Sequence, residues 1–80
     1  MTNTDGYTHG YTFDNNLPAM TTKEEWAAEV LAIAQTNPSE LYEAACGYYA
    51  NANTAQPLEE YAQAHVQGQI DRAKEITGQQ

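Results

Sequence analysis

The sequence predicts a mostly α protein: a small three-helix bundle over residues 21–80, preceded by an extended arm or short hairpin over residues 1–20. Three observations carry that expectation. Thr22-Lys23-Glu24-Glu25 has the Ser/Thr-x-x-Glu form of a capping box. Asn37-Pro38 restarts the chain with a capping residue followed by proline at a first helical position. Pro57 and Gly78 then bracket a long stretch with helical period. Eighty residues make a single small domain.

Residues 1–20 are rich in Thr, Asn, Gly and Tyr and show no helical period. Tyr7-Thr8-His9-Gly10-Tyr11-Thr12-Phe13 gathers β-formers around a glycine, which predicts a hairpin or an extended arm. An isolated hairpin is marginal in water, so the arm is expected to lie against the helices.

In the first helix, Trp26, Ala27, Val30, Leu31, Ile33 and Ala34 fall on one side at 3.6 residues per turn. Glu24, Glu25, Ala28, Glu29, Ala32 and Gln35 fall on the other, giving an acidic outer face. The helix stops before Pro38, which disfavours helical geometry at Asn37. The second helix is expected from Pro38 to about Ala52, with Asn37 as its cap and Leu41, Tyr42, Ala45, Cys46, Tyr48, Tyr49 and Ala52 facing inward. Asn51-Ala52-Asn53-Thr54 reads as a turn. The third helix runs from Pro57 to Thr77, with an inward stripe from Leu58 and Tyr61 through His65 and Gln69 to Ile76. Large aliphatic anchors are few, so the aromatic residues or a second chain must help close the core.

Composition removes several functions. Three Lys and Arg stand against eleven Asp and Glu, for a formal charge of −8. Direct nucleic-acid binding needs cations on phosphates, and a lipid surface needs a basic patch; neither partner is expected. No apolar stretch approaches the roughly 20 residues of a membrane span. The opening residues predict no secretory leader, which points to the cytoplasm.

Catalytic chemistry is sparse. Ser39 is the one serine and sits where a helix starts. Cys46 and His65 form the only conceivable thiol pair, and a buried apolar cysteine is the plainer reading. No metal-ligand spacing and no glycine-rich phosphate loop is present, so no metal, cofactor or enzymatic activity is expected.

The charge pattern carries the functional expectation. Residues 1–60 hold nine of the eleven acids and one base, Lys23. First-turn glutamates answer the helix dipole, but Glu25 and Glu29 stand four apart, where like charges repel. Small neighbours, Ala28, Ala32, Ala44 and Gly47, let a partner approach Glu25, Glu29, Glu40 and Glu43 closely. Such a face suits a Lys/Arg-lined groove on a nucleic-acid-handling complex, occupied by mimicry of the nucleic acid. Asp14, Tyr7 and Tyr11 are the second-tier contacts. The alternative is a structural or accessory interaction module, a homodimer among its forms and joined through its tyrosines, whose acidity serves solubility.

Gly10-Tyr11-Thr12-Phe13-Asp14-Asn15-Asn16 is similar to a Tyr-Thr-Phe-Asp strand segment in one group of acidic anti-CRISPR proteins. In size and acidity the chain also resembles the small anti-CRISPR and anti-restriction inhibitors of phages and mobile elements. The resemblance covers seven residues and carries over no functional residue. It implies a cofactor-free, stoichiometric binder acting in the cytoplasm of a host cell.

Overall fold

The computed structural model describes residues 4–78, and most of them are helical. The helices are α1 (Asp5–Tyr11), α2 (Lys23–Thr36), α3 (Pro38–Tyr49) and α4 (Leu58–Thr77), with a 3₁₀ turn at Phe13–Asn16 between the first two. Among the described residues there is no strand. Helix α4 is the longest and forms the spine on which the other three pack.

The N-terminal segment differs from the expected arm or hairpin. Asp5–Tyr11 is an α-helix laid along α4. Seven residues do not sustain a helix alone in water, so packing supplies what propensity lacks. The contact is backbone on backbone: Gly6 lies against Tyr61, Gly10 against His65, and Gly68 against Tyr7, Gly10 and Tyr11. A methyl group at any of these positions would stand inside van der Waals contact with the opposing main chain. Gly6 and Gly10, one turn apart, therefore present a flat helix face, and that geometry overrides the β preference of the intervening Tyr and Thr.

Helices α2 to α4 follow the sequence signals more closely. The Thr22 side chain accepts from the Glu25 backbone N–H at 3.1 Å, as the capping box requires. At the next junction Asn37 makes no cap with its side chain; its Oδ1 accepts instead from Ser39 Oγ at 2.7 Å. Helix α3 ends three residues earlier than expected. Asn51 and Ala52 turn back onto the carbonyls of Tyr48 and Tyr49, and Asn53 takes a positive φ of 52°. The Tyr49 hydroxyl then donates to the Gln56 carbonyl at 2.7 Å, pinning the loop that leads into α4. Gly78 closes α4 in the left-handed conformation at φ 76°.

The core is Trp26, Ala27, Val30, Leu41 and Ala73, with Phe13, Leu17, Leu31, Ile33, Val66, Ile70 and Ile76 packed around it. Small residues bring the helices close, and aromatic rings fill the remaining gaps. Phe13 lies 6.1 Å from Trp26, 5.2 Å from Tyr48 and 5.9 Å from His65, centroid to centroid. Leu58, expected inside, is 44% exposed, while Gln56 and Tyr61 on either side of it are buried.

Candidate functional site

Charge is arranged differently inside and outside this fold. Asp14, on the 3₁₀ turn, is only 5% exposed. Arg72 grips it with Nε at 3.2 Å from Oδ1 and Nη2 at 3.3 Å from Oδ2. Lys23 Nζ stands 3.7 Å from the same carboxylate. Two of the three cations in the chain are thus committed to one buried acid, and Arg72 also reaches Glu75 at 3.3 Å. The Asp14 bond is the largest of the effects that raise the Arg72 pKa.

Tyr7 and Tyr11 hold α1 to α4. Their rings stack at 5.9 Å, and their hydroxyls donate to Asp71 at 2.6 Å and Glu75 at 2.5 Å. The bond to Asp71, helped by partial loss of water, pushes the Tyr7 hydroxyl up to about 12. The Tyr11 hydroxyl is raised for the same reason by Glu75. Arg72 lies over the Tyr11 ring, 5.9 Å from its centroid. Asp14, Tyr7 and Tyr11, expected as second-tier contacts, thus have partners within the molecule, Asp14 buried and Tyr7 still 36% exposed. The Tyr11-Thr12-Phe13-Asp14 stretch is a helix end and a 3₁₀ turn, not the strand its resemblance implies.

The four glutamates singled out by pattern behave otherwise. Glu25 and Glu29 on α2, and Glu40 and Glu43 on α3, are all exposed. Among the described residues no cation pairs with any of them. Each pair lies one turn apart, and the adjoining Ala28, Ala44 and Gly47 are exposed and small. Glu29 stands on α2 and Glu40 on α3. They line one cleft of about 220 Å³ together with Phe13, Trp26, Val30, Ile33, Leu41, Ala44, Tyr48 and Gln69. The cleft thus has an aromatic and aliphatic wall with a carboxylate from each helix.

A second depression, of about 400 Å³, lies between α1, α3 and α4 and is lined by His9, Phe13, Tyr48, Tyr61 and His65 among others. His9 Nδ1 and the Tyr61 hydroxyl share a hydrogen bond at 2.7 Å. His65 is 1% exposed and its Nδ1 has no hydrogen-bond partner. Burial, with a smaller push from His9, lowers its pKa to about 4, so it is a neutral ring in an aromatic cluster. Cys46 is a half-buried free thiol, and it makes no hydrogen bond to His65 Nδ1. Among the described residues no group of three or more His, Cys, Asp or Glu is placed to hold a metal ion. No described helix is long and apolar enough to cross a membrane.

No protein family, curated protein or solved structure matches the chain. The site is therefore read from its own geometry. Sequence reasoning located the glutamates because exposure follows from helical period. It missed the cleft between them, whose wall needs Phe13 delivered from the segment expected to be an arm.

Proposed function

We propose that the chain is a non-enzymatic acidic inhibitor that binds the Lys/Arg-lined nucleic-acid channel of a host defence complex, of the anti-CRISPR or anti-restriction type, acting in the host cytoplasm by nucleic-acid mimicry. One observation supports this reading above the others: Lys23 and Arg72 are turned onto buried Asp14, while Glu25, Glu29, Glu40 and Glu43 are left exposed and without a cation among the described residues. A face of one sign raises the association rate with a positive groove and makes binding salt-sensitive. Helical spacing sets the carboxylates roughly 5–6 Å apart at Cβ, a separation on the scale of charges along a nucleic-acid strand. No cofactor and no direct contact with nucleic acid enters this reading.

The test is capture from host lysate on the immobilised protein, at low and high salt, with release by duplex DNA or RNA. A nucleic-acid-handling complex that elutes with salt and with nucleic acid, and that Glu25→Lys/Glu29→Lys fails to retain, is the expected result. Retention indifferent to salt, nucleic acid and charge reversal would overturn the proposal. A second reading, a homodimeric accessory module, draws support from Tyr48 and Tyr7, which are 42% and 36% exposed, while Tyr61 is buried. Sedimentation at rising concentration separates the two, because only that module becomes a dimer.

A further inference from the structure

We infer that the cleft between α2 and α3 is a receptor for a single arginine side chain of the partner. This deepens the reading above and rests on it for the partner's basic character.

The cleft has the parts such a side chain needs. Its volume, about 220 Å³, lies below the ~300–1,000 Å³ of ordinary small-molecule pockets, which suits one inserted residue. Val30, Ile33, Leu41 and Ala44 offer an apolar surface for a methylene stem. Phe13, Trp26 and Tyr48 form a linked aromatic wall, with Phe13 inclined 20° to Trp26 and 41° to Tyr48. Planar guanidinium stacks on such rings better than ammonium does. Glu29 and Glu40 then supply one carboxylate from each of two helices as acceptors for guanidinium N–H donors.

The charge balance selects the same occupant. Two exposed carboxylates share one cleft with no cation paired to either among the described residues. An anionic ligand would be repelled, and a neutral apolar one would leave both acids with a less hydrated neighbour. A cation with a flat apolar face satisfies the whole lining. Of the protein side chains, that describes arginine.

Trp26 is the one tryptophan of the chain and lines the cleft, so its fluorescence reports occupancy directly. The full chain is titrated with N-acetyl-arginine methylamide, with the neutral isostere N-acetyl-citrulline methylamide, and with N-acetyl-lysine methylamide. Expected is a saturable change with the arginine compound at a Kd on the order of millimolar, at least ~5-fold weaker for lysine and absent for citrulline. Glu29→Gln/Glu40→Gln should weaken arginine binding at least ~5-fold, while Glu59→Gln/Glu60→Gln, in the first turn of α4 and outside the cleft lining, should change it less than ~2-fold. An equal response to citrulline, no saturation with arginine, or indifference to the Glu29/Glu40 change would overturn the cleft proposal. Thermal melts check that each variant keeps the fold. If the partner complex is captured in a charge-dependent manner yet the arginine compound gives no saturation, the cleft assignment fails and the acidic-face reading stands. If the arginine compound saturates but captured complexes ignore charge reversal, the acidic-face reading fails and the cleft assignment stands.

Discussion

Where α1 meets α4, main chain lies on main chain, each tyrosine hydroxyl of α1 finds a carboxylate, and two cations close on one buried acid. Where α2 and α3 face outward, exposed glutamates flank a shallow aromatic cleft, and no cation among the described residues answers them. The first region uses its polar groups internally. The second leaves them exposed to solvent. The contrast teaches that net charge alone is a poor guide to an interface: Asp14 and Glu29 carry the same charge, and only their surroundings separate scaffold from candidate contact.

The sharpest way to break that contrast is to spoil the crossing. Gly10→Ala puts a methyl group into the His65 main chain, so α1 must lift from α4. The expected loss is about 3 kcal/mol, the upper part of the overpacking range, seen as a melting temperature lower by more than ~10 °C. A variant as stable as the parent would mean that α1 does not seat as described.

Acid comes next. His65 is neutral in the fold and titrates at about 4, against 6.5 for an exposed ring; burial dominates, His9 adds to it, and Gln69 opposes it. The unfolded chain therefore takes up a proton before the folded one, so stability falls as pH drops from 6.5 towards 4 and levels off below. The loss is on the order of 2–3 kcal/mol. Denaturant midpoints across that window should drop for the parent and much less for His65→Gln. Parallel slopes would contradict a neutral buried ring.

Asp14→Asn tests whether the inward charge is structural. It leaves Arg72 facing an uncharged amide, at a cost of about 2 kcal/mol that added salt does not restore, read by chemical denaturation. The smallest change sharpens the contrast from the other side. Gly47, in α3 on the open half, has nothing within 4 Å of where a Cβ would sit. Gly47→Ala should stabilise by about 0.5–1 kcal/mol, the opposite sign from Gly10→Ala. Equal losses at both glycines would erase the distinction between the two halves.

These same glycines mark the boundary of what sequence pattern reveals. Helices α2, α3 and α4 were legible because Thr22, Pro38 and Gly78 act locally, within a turn of the residues they punctuate. Helix α1 was not, because its stability comes from α4, some fifty residues away in the chain. The available signal was the spacing of Gly6 and Gly10 together with Gly68, a costly residue inside a long helix unless another backbone presses on it. For the candidate site, the exposure of Glu25, Glu29, Glu40 and Glu43 followed from period alone. The internal bonds of Asp14, Tyr7 and Tyr11 did not, since their partners Arg72, Asp71 and Glu75 reach them only through the folded crossing.

The proposed interface is positional: under it the carboxylates of α2 and α3 would meet the partner, and acids elsewhere would not. Glu25→Lys/Glu29→Lys and Glu59→Lys/Glu60→Lys alter the net charge equally, the second pair in the first turn of α4. Biolayer interferometry against the captured complex compares them directly. The account predicts at least a ~10-fold weaker affinity for the α2 pair and less than ~3-fold for the α4 pair. Equal weakening by both pairs, or none by either, would contradict it.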